Sequence, residues 1–183
     1  MQNQTESKLS RVSALREMIS RWSVKAKSIS FLKPWDRLPV EKGSVLALCS
    51  PDGGGKTELV MQVIEQNREM RVAWIEKELT IYPFSFAQKK ISMNRVLFVE
   101  AGKQEMWSAS HCIRSQLFDL VVVRAESLCE MDLRRLQLAA EKAQVSVILL
   151  TSAPIREGAW PLSEQLAVLR DQLRGGAPCV SYA

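Results

Sequence analysis

The stretch Ser50-Pro51-Asp52-Gly53-Gly54-Gly55-Lys56-Thr57 holds the residues best suited to chemistry. A nucleotide phosphate loop has a Gly, four free positions, then Gly-Lys-Ser/Thr. Gly55, Lys56 and Thr57 are in register with that pattern, and Ser50 stands where the first Gly is expected. Consecutive glycines let backbone N–H groups turn inward around an anion. The helix that follows adds the positive end of its dipole. Lys56 would reach the β- and γ-phosphates of a nucleotide such as ATP, and the Thr57 hydroxyl would ligate Mg²⁺. The bland alternative is an ordinary Gly-rich turn between a strand and a helix, but such a turn has no need of Lys-Thr next.

Such a loop works only between a strand and a helix. Val45-Leu46-Ala47-Leu48-Cys49 before it reads as a buried strand, and Leu59, Val60, Val63 and Ile64 after it recur at helical spacing. Further strands are expected near 71–76, 96–100, 120–123 and 145–150, with helices near 84–91 and 129–144. On a helix before Leu120, the residues Met106, Trp107, Ser110, Ile113 and Leu117 are expected to face one way. Leu120-Val121-Val122-Val123 has the unbroken apolar character of a central parallel strand. Segments 165–170 and 179–182 read as edge strands. Strands alternating with helices predict an α/β fold, a mostly parallel sheet with helices on both faces.

The chain has 183 residues, 46% of them hydrophobic and 25% charged, as expected of a globular protein with a sizeable core. No apolar run approaches the roughly 18 residues of a membrane span, and Met-Gln-Asn-Gln-Thr-Glu does not begin like a signal peptide. A cytoplasmic protein with no membrane contact is expected. Cys49, Cys112, Cys129 and Cys179 form no C-x-x-C pair, so neither a zinc site nor a disulfide framework is indicated. His111, the single histidine, reads as a surface or packing residue.

The net charge of +5 is unevenly placed. Residues 1–40 carry eight basic side chains against three acidic ones, and the rest of the chain has 17 of each. The basic excess therefore belongs to the N-terminal segment. Within it, Leu9, Val12, Leu15, Ile19, Trp22 and Ala26 make a one-sided helical stripe. That stripe must be buried against the chain's own core, a second copy or a partner. Lys33-Pro34-Trp35 through Pro39 ends the helix. The expected organisation is a basic amphipathic helix and linker over 1–37, for partner or oligomer contact, and a nucleotide-binding core over 38–183.

From Leu38 to about Arg170 the chain resembles the ATPase core of bacterial RecA. The landmarks are Leu38-Pro39 before Gly43; Pro51-Asp52 with Gly55-Lys56-Thr57; Ala73-Trp74-Ile75-Glu76-Lys77-Glu78 running on to Pro83; Phe118-Asp119 leading into Val121-Val122-Val123; and the strand 145–150. The resemblance implies a RecA-like P-loop core. It places Glu78 at the family's general base, where a carboxylate activates water for in-line attack. Read from its neighbours alone, Glu78 is equally a solvated residue in the charged run Glu76-Lys77-Glu78.

Several family parts are replaced. Arg124 stands where the magnesium-ligating Asp is expected, and a guanidinium cannot ligate a metal. Glu126, two residues on, could bend in. Thr151-Ser152 replaces the Asn-Gln sensor of the γ-phosphate. Ser127-Leu128 runs almost directly into a helix, leaving no room for the first DNA-binding loop, and 151–162 lacks the Gly-rich, basic character of the second. A core so altered resembles the ImuA-type accessory proteins of damage-induced mutagenesis. SulA-type division inhibitors are similar too, but they lack the phosphate loop. The resemblance implies an adaptor in the bacterial SOS response and translesion mutagenesis. Such an adaptor contacts RecA or mutasome components through Leu9, Val12, Leu15, Ile19 and Trp22, and binds ATP with weak or no hydrolysis. The alternatives are an active ATPase using Glu78, and a DNA-binding protein whose contacts lie in the basic first 40 residues.

Overall fold

In the computed structural model the described residues are 40, 42–126, 128–155, 164–170 and 178–182. The N-terminal segment with its stripe Leu9, Val12, Leu15, Ile19 and Trp22 lies outside them. The strands are β1 (Val45–Cys49), β2 (Val72–Glu76), β3 (Val96–Glu100), β4 (Leu120–Arg124), β5 (Ser146–Thr151), β6 (Glu164–Arg170) and β7 (Pro178–Tyr182). Between them run α1 (Lys56–Gln66), α2 (Phe84–Gln88), α3 (Glu105–Ser115) and α4 (Glu130–Ala143). The sheet order is β3-β2-β4-β5-β1-β6-β7. The first six strands are parallel to their neighbours, and β7 returns antiparallel to β6.

Alternation along each strand feeds two cores, because successive side chains leave opposite faces. Leu46, Leu48, Val72, Trp74, Val122 and Ile148 meet Leu59, Val60, Val63 and Ile64 of α1 and Phe86 of α2. Val45, Ala47, Ala73, Ile75, Val121 and Leu149 meet Ala109 and Ile113 of α3 and Leu133, Leu136 and Ala140 of α4. Phe86 is the hub of the first layer. Its ring lies edge-on to Trp74, with centroids 5.6 Å apart, and to Phe98 at 5.1 Å. Burial on both faces explains why β4 reads as one apolar run.

Two expectations are corrected. Segment 165–170 is not an edge: β6 lies between β1 and β7, so β7 and β3 are the edges of the described sheet. On α3, Ala109 and Ile113 are buried while Trp107 and Leu117 are each 59% exposed. The helix touches the sheet along a narrow line and stops at Ser115, where Gln116 takes φ +55°, so Leu117 falls beyond it. Trp107 packs instead on His111, with ring centroids 3.9 Å apart. Among the described residues no helix is long and apolar enough to cross a membrane.

Candidate nucleotide site

The loop 50–57 leaves the carboxyl end of β1 and opens α1. Ser50 N–H extends the strand pairing by donating to the Thr151 carbonyl at 3.1 Å. Gly54 N–H then donates to the Pro51 carbonyl at 3.0 Å, closing a turn. Gly53 has φ +82° there, the value a type II turn requires in its third place. Gly55 caps α1 at φ 96°, and no side chain caps the helix. The N-terminus of α1 opens onto the loop, where the helix dipole favours an anion.

Ser50 is accommodated by Gly54. A Cβ on Gly54 would lie 1.7 Å from Ser50 Oγ and 3.0 Å from the Pro51 carbonyl. The Ser50 hydroxyl fills that space and donates to the Pro51 carbonyl at 2.8 Å. The loop thus exchanges one glycine for a serine and keeps its shape because another glycine gives way.

Lys56 is buried, at 4% exposure. Its ammonium donates to the carbonyls of Ser50 at 2.7 Å and Thr151 at 3.1 Å, and lies 3.6 Å from Asp52 Oδ1. A buried ammonium is tolerated only when paired and hydrogen-bonded in this way. Thr57 follows at the start of α1, half-buried.

Arg124 closes the other side. It ends β4, which is separated from β1 by β5 alone. Its Nη2 donates to Asp52 Oδ1 at 2.8 Å and its Nη1 to Thr80 Oγ1 at 2.8 Å. Lys56 and Arg124 therefore converge on one carboxylate oxygen. Thr80 in turn donates its hydroxyl to Glu76 Oε2 at 2.9 Å. Glu76, 2% exposed, also accepts from Trp74 Nε1 at 3.0 Å and from the backbone N–H groups of Thr80 and Ile81.

Glu78 stands on the exposed segment after β2, and Glu126 is exposed beyond β4. Thr151 is buried at the end of β5 and offers its carbonyl to the loop, while Ser152 is exposed. Only five residues separate β4 from α4, so the connection there is as short as the sequence suggests. Most of the connection from β5 to β6 lies outside the described residues. Sequence reasoning did not find the roles of Glu76, Thr80 or the Asp52–Arg124 pair. A separate groove of about 940 Å³ runs along α3 and α4 past Trp107, His111, Arg114 and Arg135, and no residue of the loop lines it.

No protein-family model matches the sequence, and no curated protein matches it. Among solved structures the chain is similar to a RadB recombinase, with a TM-score of 0.57 and 14% identity over 77% of this chain and 87% of that one. The fold is RecA-like. At that identity the likeness is one of architecture. On this RecA-like core, three glycines, the N-terminus of α1 and Lys56 fit a phosphate group. The mouth does not fit a magnesium ion: a guanidinium stands at the end of β4, and Asp52 already pairs two cations. Among the described residues no cluster of three or more His, Cys, Asp or Glu could hold a metal.

Proposed function

We propose that this RecA-like protein is an accessory factor of the bacterial DNA-damage response and translesion mutagenesis. It binds a nucleotide at residues 50–57, hydrolyses it weakly or not at all, and works by contacting partner proteins. The observation that carries the reading is Arg124. It holds Asp52 and Thr80 where a hydrolytic site needs a metal-binding carboxylate. The partner surface is the stripe Leu9, Val12, Leu15, Ile19 and Trp22, and the partner class is RecA or mutasome components, on the strength of the sequence resemblance.

Two measurements test this. ATP turnover by the purified protein is expected below about 1 per minute, against enzyme medians near ~10 s⁻¹. Faster turnover that disappears in Lys56→Ala would overturn the reading. Pull-down of RecA is expected with the full chain and lost when residues 1–30 are removed. Equal capture by both chains would move the contact into the core.

A further inference from the structure

We infer that this loop takes its nucleotide without a divalent cation, with Arg124 doing the work of charge neutralisation that a metal does elsewhere. The inference rests on residues 50–57 being a nucleotide site, and it names the ionic form of the ligand: the metal-free polyphosphate of a nucleoside di- or triphosphate.

Three observations lead there. The first is convergence. Lys56 Nζ and Arg124 Nη2 lie 3.6 and 2.8 Å from the same oxygen, Asp52 Oδ1. Both cations meet on the one exposed carboxylate, so an anion that displaces Asp52 gains two positive partners together with the dipole of α1. The second is preorganisation. Arg124 is held from behind by Thr80, and Thr80 by the buried Glu76. If a phosphate displaces Asp52, the guanidinium stays in place, because its second anchor does not belong to the loop. The third is the mobility open to Asp52. Its side chain is 71% exposed and can swing into water as the phosphate takes its place, while the buried Lys56 keeps its bonds to the Ser50 and Thr151 carbonyls.

The physical chemistry favours the guanidinium over a metal here. A guanidinium presents planar paired donors that match a phosphate, in charge-assisted hydrogen bonds. Mg²⁺ requires an octahedral shell of oxygen ligands and would meet a fixed positive charge instead. Asp52 then acts as an internal competitor, an anion that occupies the cations until a stronger one arrives. Binding exchanges one set of ion pairs for another, and no bond is made or broken.

The test is calorimetric titration of the full chain with ATP and with ADP, once in excess Mg²⁺ and once in excess EDTA. Affinity in EDTA is expected to equal or exceed that in Mg²⁺. Arg124→Ala is expected to lose about tenfold or more in EDTA, the loss of one charge-assisted contact. Arg124→Asp is expected to bind only when Mg²⁺ is present. Thermal melts of each variant check that it folds, and the wild-type comparison needs no variant. Binding that EDTA abolishes overturns this inference and leaves the nucleotide site standing, as does Arg124→Ala binding like wild type in EDTA. No binding by wild type in either condition overturns both.

Discussion

Glu76 and Asp52 are carboxylates at the carboxyl end of one mostly parallel sheet, and they are held in opposite ways. Glu76 is buried and accepts from the Trp74 indole, the Thr80 hydroxyl and two backbone N–H groups. Its donors are neutral and fixed, and most are local in sequence. Asp52 is exposed, and its partners are two cations, one of them 72 residues away. The first arrangement builds structure, since four donors lose a partner at once if the carboxylate goes. The second suits exchange, since water or another anion can take over either side. Thr80 joins them, donating to Glu76 and accepting from Arg124. The rigid carboxylate thereby positions the cation that the exchangeable one covers.

The sharpest way to break the comparison is at Glu76. Glu76→Ala is expected to lower unfolding free energy by about 3 kcal/mol, because buried donors are left unsatisfied. Urea denaturation followed by Trp fluorescence would measure it, and a loss under about 1 kcal/mol would show that Glu76 is not structural in this sense.

Gly54→Ala comes next. Its Cβ collides with Ser50 Oγ, so a cost of about 2 kcal/mol is expected, typical of overpacking. Ser50→Gly in the same chain should recover part of it. A double variant no more stable than Gly54→Ala alone would refute the compensation between the two positions.

Asp52→Asn should be the mildest. Asp52 is itself exposed and Lys56 keeps two carbonyl partners, so a cost of about 1 kcal/mol and a small drop in melting temperature are expected. ATP affinity should rise several-fold as the competing anion is removed. A fall in affinity would mean that Asp52 helps to hold the ligand.

Much of this was legible in the sequence. The apolar run of β4 announces a doubly covered strand, and Gly53-Gly54-Gly55-Lys56-Thr57 announces an anion loop, because both follow from short-range geometry. The helix stripe through Trp107 and Leu117 misled, because periodicity records which residues could be buried and not how wide a neighbour is. The placing of β6 misled for a similar reason: strand character does not say which neighbours a strand pairs with.

The charged run Glu76-Lys77-Glu78 shows the limit most clearly. In the sequence the family resemblance singles out Glu78, and Glu76 is only its neighbour in the run. In the fold Glu76 is the buried one, because Trp74 and the turn at Thr80 bring their donors around it.

By itself the sequence determined the order of strands and helices, the loop and the replacement at Arg124. Each of these is written in neighbouring residues or in a single position. Only the tertiary structure decided that Arg124 reaches Asp52, that Ser50 leans on Gly54, and that Thr80 links a rigid carboxylate to an exchangeable one. For Arg124 the reason is distance along the chain: it meets Asp52 and Thr80 where parallel strands far apart in sequence end side by side. For Ser50 with Gly54 and Glu76 with Thr80 it is the conformation of the turn between them, which residue type alone does not specify.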